Sequence, residues 1–378
     1  MAGFYVHIPF CRQACRYCDF HFSVSIQQKE NMVKALLKEI PHKAELFEND
    51  EIETLYFGGG TPSVLDTGEV EILIETVKEY FRVSKDLEIS FEANPDDLKG
   101  EYPGRLIASG VKRISIGIQS FSGEDLSLMR RSHNSSQAVE AINNVKEAGF
   151  KDINCDLIYG IPGMTSETWE KNLETLMGLE IQHISAYHLT FEPGTVFDHW
   201  RKKQRLFPVE EEESLRQYEI LKQKTEKAGF VHYEISNFAL PGFFSKHNLT
   251  YWKNKNYIGI GPSAHSYDGK RRFWNISSNK KYMEMLNFNS YNYYDSELLS
   301  IIDMYNEYML TSLRTMWGID LLEIQDRFGD NYVKYTMKIA ESYLREELMI
   351  KSNNKIRLTG RGIFLSDQII REFFRIDE

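Results

Sequence analysis

The 378-residue sequence lacks a long apolar run, a leader-like start and an excess of basic charge, and each absence excludes a class of protein. No apolar stretch approaches the ~18 residues that a transmembrane helix needs. The first residues, MAGFYVHIPF, have no basic-then-apolar leader pattern, so we expect a cytoplasmic protein without a membrane span. The formal net charge of −10 disfavours nonspecific binding to nucleic acids, which depends on neutralising phosphates.

Cysteine is scarce too, with four residues in the chain. Cys155 lies in an apolar stretch, where a free cysteine is usually buried. Cys11, Cys15 and Cys18 are crowded together, which indicates a metal site rather than a disulfide scaffold. Iron–sulfur clusters bind cysteine thiolates, and three ligands leave one iron of a four-iron cluster open. A zinc loop with His21 as a further ligand is the alternative, but the usual zinc spacings are not completed.

Short strand-like runs alternate with amphipathic helical segments in the first two-thirds of the chain. Strands are predicted at Gly3–Ile8, Glu53–Phe57, Leu87–Glu92, Arg113–Ile118, Ile153–Tyr159, Ile184–Leu189 and Val231–Ser236. Helices are predicted at Gln28–Ala44, Gly68–Phe81, Gln137–Ala148, Ser166–Met177 and Glu210–Ala228. This alternation predicts an α/β fold with a parallel sheet, and it favours an incomplete (β/α)6 barrel with functional residues at the C-terminal ends of the strands.

The pattern becomes mainly helical after about residue 277. Helices are predicted at Asp303–Arg314, Leu321–Phe328, Val333–Glu346 and Ser366–Phe374, with two short strands within Leu348–Leu358. We therefore predict a barrel over residues 1–235, a connecting segment over 236–290 and a smaller, mainly helical C-terminal domain with a wing-like hairpin over 291–378. The acidic composition disfavours a DNA-binding winged helix.

The segment YVHIPFCRQACRYCDF, residues 5–20, resembles the radical S-adenosylmethionine (SAM) superfamily, in which CxxxCxxC follows the first barrel strand. The resemblance implies a 4Fe–4S cluster on Cys11, Cys15 and Cys18 whose open iron binds the amino and carboxylate groups of SAM. In that superfamily an electron from the cluster cleaves SAM to a 5′-deoxyadenosyl radical. The positions that match SAM-contacting residues of the family are Tyr5, Tyr17, Gly59, Gly60, Thr61, Glu92, Gln119, Arg131 and Asp156.

Several of these residues suit a cofactor site for physical reasons that do not depend on the resemblance. Gly58–Gly60 allows the backbone to approach a ligand closely, although such a run is also common in tight turns. Glu92 suits an ammonium group or ribose hydroxyls, or else it caps the following Asn-Pro turn. Gln119 and Asp156 offer acceptors at the same barrel mouth. Arg131 can bind a carboxylate through two parallel hydrogen bonds, or it is a solvated helix charge.

Further motifs narrow the resemblance to the branch that contains the oxygen-independent coproporphyrinogen III dehydrogenases (HemN) and the haem chaperones (HemW). These motifs are GGGTPS, SFEANPD, GIQSF and DLIYGIPG. Phe20 stands where the dehydrogenases have a further cysteine, in CxxxCxxCxC. HNLTYW, residues 247–252, resembles the haem-associated HNxxYW motif of the chaperones. There His247 is a potential axial ligand, and Tyr251 and Trp252 supply flat aromatic area, although a histidine beside aromatic rings is otherwise a packed core residue.

The resemblance to the chaperone family predicts a protein that binds haem and transfers it to an acceptor haem protein, which we expect to be a membrane-associated respiratory enzyme. An electron donor is implied as a second partner. The alternative is an enzyme that oxidatively decarboxylates coproporphyrinogen III to protoporphyrinogen IX, and a third possibility is another SAM-dependent reaction on a tetrapyrrole. Barrel and cluster suit all three, because a fold does not determine a function. Phe20 and HNxxYW are the features that distinguish them.

Overall fold

The computed structural model describes residues 1–48, 50–288, 290 and 292–376. Six parallel strands form its centre. They are β1 (Ala2–Ile8), β2 (Glu51–Gly59), β3 (Arg82–Ala93), β4 (Arg113–Gln119), β5 (Asp152–Tyr159) and β6 (His183–His188). Each strand pairs in parallel with the next, which confirms the predicted α/β architecture.

Helices on the outside of the sheet connect these strands. They are α1 (Lys29–Leu46), α2 (Thr67–Tyr80), α3 (Tyr102–Ala108), α4 (Gly123–Met129), α5 (Ser135–Ala148) and α6 (Ser166–Gly178). Helix α2 shows why the sequence folds this way. It begins at a capping box made by Asp66 and Glu69. Four of its apolar residues recur at helical spacing and are fully buried; they are Val70, Leu73, Ile74 and Val77.

The chain then extends the sheet at both edges. The added elements are α7 (Val196–Lys202), α8 (Glu211–Lys227), β7 (Val231–Glu234), β8 (Asn237–Ala239), α9 (Lys246–Trp252), β9 (Asn256–Ile260), β10 (His265–Tyr267), β11 (Arg271–Asn275), α10 (Asn279–Asn287) and β12 (Tyr294–Leu298). The strand order is β12-β11-β10-β9-β1-β2-β3-β4-β5-β6-β8-β7. In the described part of the chain, β7 and β12 do not pair, so the barrel is open.

Strand alternation divides the side chains of the barrel into two sets. In β1, Phe4, Val6 and Ile8 are buried in the apolar core. Tyr5 and His7 alternate with them and contact polar and aromatic side chains of neighbouring strands and loops. The same alternation in the other strands gives the barrel a polar interior, and this interior is what positions the site.

Residues 236–290, which we predicted to connect two domains, contribute β8, α9, α10 and β9–β11 to the barrel region. Beyond β12, a second core forms among α11 (Ile301–Ser312), β13 (Ile319–Asp320), α12 (Leu321–Phe328), α13 (Asp330–Arg345), β14 (Met349–Ser352), β15 (Lys355–Leu358), α14 (Gly360–Phe364) and α15 (Ser366–Phe373). Strands β14 and β15 form the expected antiparallel hairpin. The domain boundaries themselves stay a prediction. Among the described residues, no helix has the combination of length and apolarity that crossing a membrane requires.

Candidate cofactor site

The three crowded cysteines lie on the loop that follows β1. Cys11, Cys15 and Cys18 are partly exposed and form no disulfide. The backbone N–H of Cys11 donates to the Ser23 carbonyl at 3.0 Å, and that of Arg16 donates to the Met129 carbonyl at 3.1 Å. The loop is therefore fixed to its own continuation and to the end of α4, which holds the thiols in a defined place.

Two side chains donate hydrogen bonds to the thiol sulfurs. Thr61 Oγ1 lies 3.4 Å from Cys11 Sγ, and Arg131 Nη1 lies 3.3 Å from Cys15 Sγ. Arg131 Nη2 also donates to the Gly117 carbonyl at 2.8 Å. Burial raises the pKa of the Cys18 thiol to about 12, so a thiolate here requires a cation beside it.

A cavity of about 440 Å³ opens beside the cysteine loop, at the C-terminal ends of the parallel strands. Its volume is in the range of small-molecule sites. Most of the residues predicted as a site line it together. They are Cys11, Cys15, Tyr17, Cys18, Gly59, Gly60, Thr61, Glu92, Gln119, Arg131 and Asp156. The structure therefore brings the predicted cluster and SAM residues to one place.

The glycine run makes room for this arrangement. Gly59 has φ +106°, and a Cβ there would lie 2.4 Å from His7 Nδ1. A Cβ on Gly60 would lie 2.6 Å from the carbonyl oxygen of Phe10. Neither position accepts a side chain, so the β2 end reaches the cysteine loop through bare backbone.

Two half-buried carboxylates line the same cavity. Glu92 accepts a hydrogen bond from Tyr56 at 2.7 Å, and Asp156 accepts one from Asn154 Nδ2 at 2.7 Å. Burial raises the pKa of Glu92 to about 7, and the neighbouring Asp156 adds to the rise. Burial also raises the pKa of Asp156. The pair would favour a cationic ligand group, which restores the charged form of both carboxyls.

Tyr5 is predicted to contact SAM, but it is not among the residues that line the cavity. Its hydroxyl lies 3.1 Å from His7 Nδ1, and its ring stacks on Tyr56 with centroids 6.1 Å apart. Tyr5 lies behind the cavity wall, where its neighbour Tyr56 donates to Glu92 of the lining.

The HNxxYW segment forms α9, at the opposite end of the barrel. His247 is 1% exposed. Its Nδ1 lies 2.8 Å from Thr54 Oγ1 near the start of β2, and its Nε2 lies 3.0 Å from the Tyr251 hydroxyl. Its ring stacks on Tyr56 with centroids 4.8 Å apart.

The backbone of α9 is tied to the strands as well. The N–H groups of Lys246 and His247 donate to the Glu88 carboxylate at 3.3 Å each. A Cβ on Gly3, near the start of β1, would lie 3.1 Å from the Thr250 methyl, so the helix fits closely against the strand starts. Both ring nitrogens of His247 are therefore engaged in hydrogen bonds in this conformation, and its role as a haem ligand stays a prediction. Tyr251 and Trp252 are half-buried and lie outside the cavity lining.

Several cavity residues escaped the sequence analysis. They are Asn94, Ser115, Gly117, Tyr187, His188, Thr190 and Glu192, together with loop residues Gln13 and Phe22. Tyr187 and His188 end β6, and the rule that placed Glu92 and Gln119 at strand ends applies equally to them. The signal was present in the sequence, because Ile184–Leu189 was predicted as a strand.

The residues around the cavity suit a cluster with a bound cofactor. The thiols form no disulfide, and Arg131 Nε is buried without a hydrogen-bond partner in the described structure. Within the described ranges, no three His, Cys, Asp or Glu side chains converge on the position of a single metal ion. A four-iron cluster has no need of such convergence, since its cysteine ligands bind separate irons.

Fold and cysteine loop together define a radical SAM protein. The Radical SAM superfamily model matches residues 5–176, and the HemN C-terminal domain model matches residues 299–365. The heme chaperone HemW of Bacillus subtilis (strain 168) is 32% identical over 375 residues, which cover 99% of each chain. HemW of Lactococcus lactis is 32% identical over 99% of this chain and 97% of its own. The chain therefore belongs to the HemW family of radical SAM proteins.

The solved structure of coproporphyrinogen III oxidase (HemN) from Escherichia coli is also similar. The TM-score is 0.84 at 25% identity, over 98% of this chain and 89% of that one. The likeness extends through the barrel and the C-terminal helices, which confirms the predicted fold class.

Proposed function

We propose that the protein is a haem chaperone that binds haem and transfers it to an acceptor haem protein, such as a membrane-associated respiratory enzyme. Full-length relatives that carry the name heme chaperone support this assignment. An electron donor for the cluster is part of the proposal. The cytoplasmic location stays a prediction.

In this proposal Cys11, Cys15 and Cys18 hold a 4Fe–4S cluster, and SAM binds in the adjacent cavity. When present, the cluster supplies one-electron chemistry toward SAM. Glu92 and Asp156 would orient the SAM amino group and ribose by accepting hydrogen bonds through their half-buried carboxylates. The other proposed SAM contacts are Tyr17, Gly59, Gly60, Thr61, Gln119 and Arg131, with Tyr5 acting from behind the wall.

Phe20 is the observation that carries the choice of chaperone over dehydrogenase. It lines the cavity two residues after Cys18, and its side chain is 67% exposed. By resemblance, the dehydrogenases have a cysteine at this position. An exposed aromatic ring at the cavity supplies apolar surface for a flat ligand, whereas a thiol would supply redox or ligand chemistry.

Oxidative decarboxylation of coproporphyrinogen III is the second candidate. The HemN structure favours it, since the backbone agreement extends through nearly the whole chain. The barrel and cysteine loop serve both functions equally well, so only a direct assay separates them. Another SAM-dependent reaction on a tetrapyrrole is a more distant candidate.

One anaerobic experiment tests the assignment. Reconstituted protein is titrated with haem, and separately incubated with coproporphyrinogen III, SAM and a reductant. We expect one haem to bind per chain with a shifted Soret band, and no protoporphyrinogen IX to form. Efficient formation of protoporphyrinogen IX would replace the chaperone by the dehydrogenase. Failure to bind haem would remove the chaperone function.

A further inference from the structure

The end of β6 presents a histidine to the cavity. Tyr187 is 46% exposed, and His188 next to it is exposed as well. Both line the cavity beside the cysteine loop. Among the histidines that the structure describes, His188 is the one that belongs to this lining. An imidazole that opens into a ligand cavity can coordinate a metal, which the buried histidines of the barrel cannot.

One ring nitrogen of His188 is held by a hydrogen bond, and the other is available to a ligand. Nε2 lies 3.0 Å from the Ser214 hydroxyl. When Nε2–H donates to that hydroxyl, Nδ1 carries a lone pair. Histidines that bind metals typically have their second ring nitrogen held by such a partner, which fixes the tautomer and the ring orientation. Burial lowers the pKa of His188, which favours the neutral, metal-binding ring.

Neighbouring residues also hold the imidazole ring of His188 in a defined orientation. Gly160 has φ +72°, and a Cβ there would lie 2.6 Å from His188 Nε2, so the position accepts only glycine while the ring stays where it is. The Tyr159 ring meets the His188 ring edge to face, with centroids 5.2 Å apart. His188 is thus oriented from three sides while it remains open to the cavity.

Other histidines near the barrel interior lack this freedom. His7, His183 and His247 each use both ring nitrogens in hydrogen bonds. His133 is 5% exposed, and its Nε2 lies 3.0 Å from the Ile118 carbonyl. Among the described histidines, His188 is the one that lines the cavity, and it has a ring nitrogen left for haem iron.

Aromatic side chains line the same cavity. Phe20, Phe22 and Tyr187 are all part of its wall, and Phe20 is largely exposed. We propose that haem binds at the exposed rim of this cavity, outside the part that SAM would occupy, with His188 Nδ1 as an axial ligand and with Phe20, Phe22 and Tyr187 against the porphyrin. The inference rests on the proposed chaperone function and moves the haem site from α9 to the cluster end of the barrel.

The full-length protein tests this with His188→Gln, because an amide can keep the bond to Ser214 but does not ligate haem iron. We expect the Soret band of bound haem to shift and the affinity for haem to fall by more than about tenfold. Loss of the residue that hydrogen-bonds to a ligating histidine already lowers metal affinity about tenfold, so loss of the ligand itself should lower it further. Binding of metal-free protoporphyrin IX should be unchanged. Phe20→Ala should weaken haem and metal-free porphyrin alike, because the ring contributes surface.

His188→Met and His199→Gln complete the design. His188→Met keeps a haem-iron donor, so it should bind haem with a displaced Soret band, a result that misfolding cannot mimic. His199 is exposed on α7 and outside the cavity lining, so His199→Gln should match the wild type. A wild-type spectrum and affinity in both His188 variants would overturn the inference and leave the chaperone function standing. A wild-type protein that binds no haem would overturn both.

Discussion

The two ends of the barrel are built from similar side chains but differ in how their polar groups are paired. At the N-terminal end, Glu88 accepts two backbone N–H groups of α9, Arg113 pairs with Asp152, and His247 uses both ring nitrogens. At the C-terminal end, the cysteines are free and the guanidinium of Arg131 keeps a buried nitrogen without a partner in the described structure.

This difference separates a structural role from a binding role more reliably than residue type does. Removing the partner of a fully paired buried polar group destabilises the fold. Such a group also has no free hydrogen-bond donor or acceptor for a ligand. A group left unpaired beside a cavity is stabilised when a ligand arrives. Substitutions at the two ends should therefore give opposite patterns, with loss of stability at one and loss of cofactor at the other.

Cys15→Ala at the C-terminal end should have the largest effect, a complete loss of the cluster with the fold retained. Two thiolates cannot replace three ligands, and Cys15 Sγ is the sulfur that Arg131 contacts. Iron and sulfide analysis of anaerobically reconstituted protein measures this, with circular dichroism as the check on folding.

Cys155→Ala is the matched control for this substitution. Cys155 is fully buried on β5, away from the cavity lining, so its variant should keep iron and sulfide at wild-type levels. A wild-type protein that contained one zinc and no sulfide would contradict the radical SAM assignment of the site.

Arg113→Met at the N-terminal end should lower the free energy of unfolding by about 3–5 kcal/mol, because it leaves the buried carboxylate of Glu88 and the half-buried carboxylate of Asp152 without their cation. Arg113 is 3% exposed. Urea unfolding of the cluster-free protein measures the change. Arg105→Met is the control: its partner Glu101 is exposed on α3, and such a pair contributes about 0.3–0.5 kcal/mol. Equal destabilisation by both variants would contradict the structural role of the N-terminal end.

The site residues at the C-terminal end of the barrel could be predicted from the sequence because their positions follow from local strand and helix patterns. Strand and helix periodicity place Glu92, Gln119 and Asp156 at strand ends, and parallel pairing brings such ends together. The N-terminal end could not be predicted in this way. His247 contacts Thr54 across 193 residues of sequence, and nothing in HNLTYW specifies that partner. The motif therefore suggested a ligand, whereas the tertiary structure pairs its histidine fully.

Glu92→Gln should weaken SAM binding about tenfold above neutral pH, the size of one charge-assisted hydrogen bond. Burial raises the pKa of Glu92 to about 7, so the carboxylate that accepts hydrogen bonds from the SAM amino group becomes populated as pH rises through that value. Wild-type affinity for SAM should accordingly increase from about pH 6 to about pH 8, and that of Glu92→Gln should increase less. Equilibrium dialysis with reconstituted protein measures both.

Exposed Glu124 supplies the control, since Glu124→Gln should keep the full pH dependence, including any part that comes from SAM itself. Parallel pH profiles for wild type and Glu92→Gln would remove Glu92 from the SAM site.

Tyr251→Phe should have the smallest effect and gives the sharpest test of the contrast between the two ends. The substitution deletes the hydroxyl that lies 3.0 Å from His247 Nε2 and keeps the ring, so it should cost about 1–2 kcal/mol of stability, the value of one buried hydrogen bond and its unpaired partner. The Soret band and haem affinity should change little, because α9 contributes no residue to the described cavity lining and His247 contacts Glu92 only through Tyr56. Tyr80→Phe on the exposed face of α2 is the control and should leave the urea midpoint unaltered. A loss of haem affinity in Tyr251→Phe as large as that in His188→Gln would place haem at α9, since the contact of His247 with Tyr56 and of Tyr56 with Glu92 accounts only for a small change at the cavity.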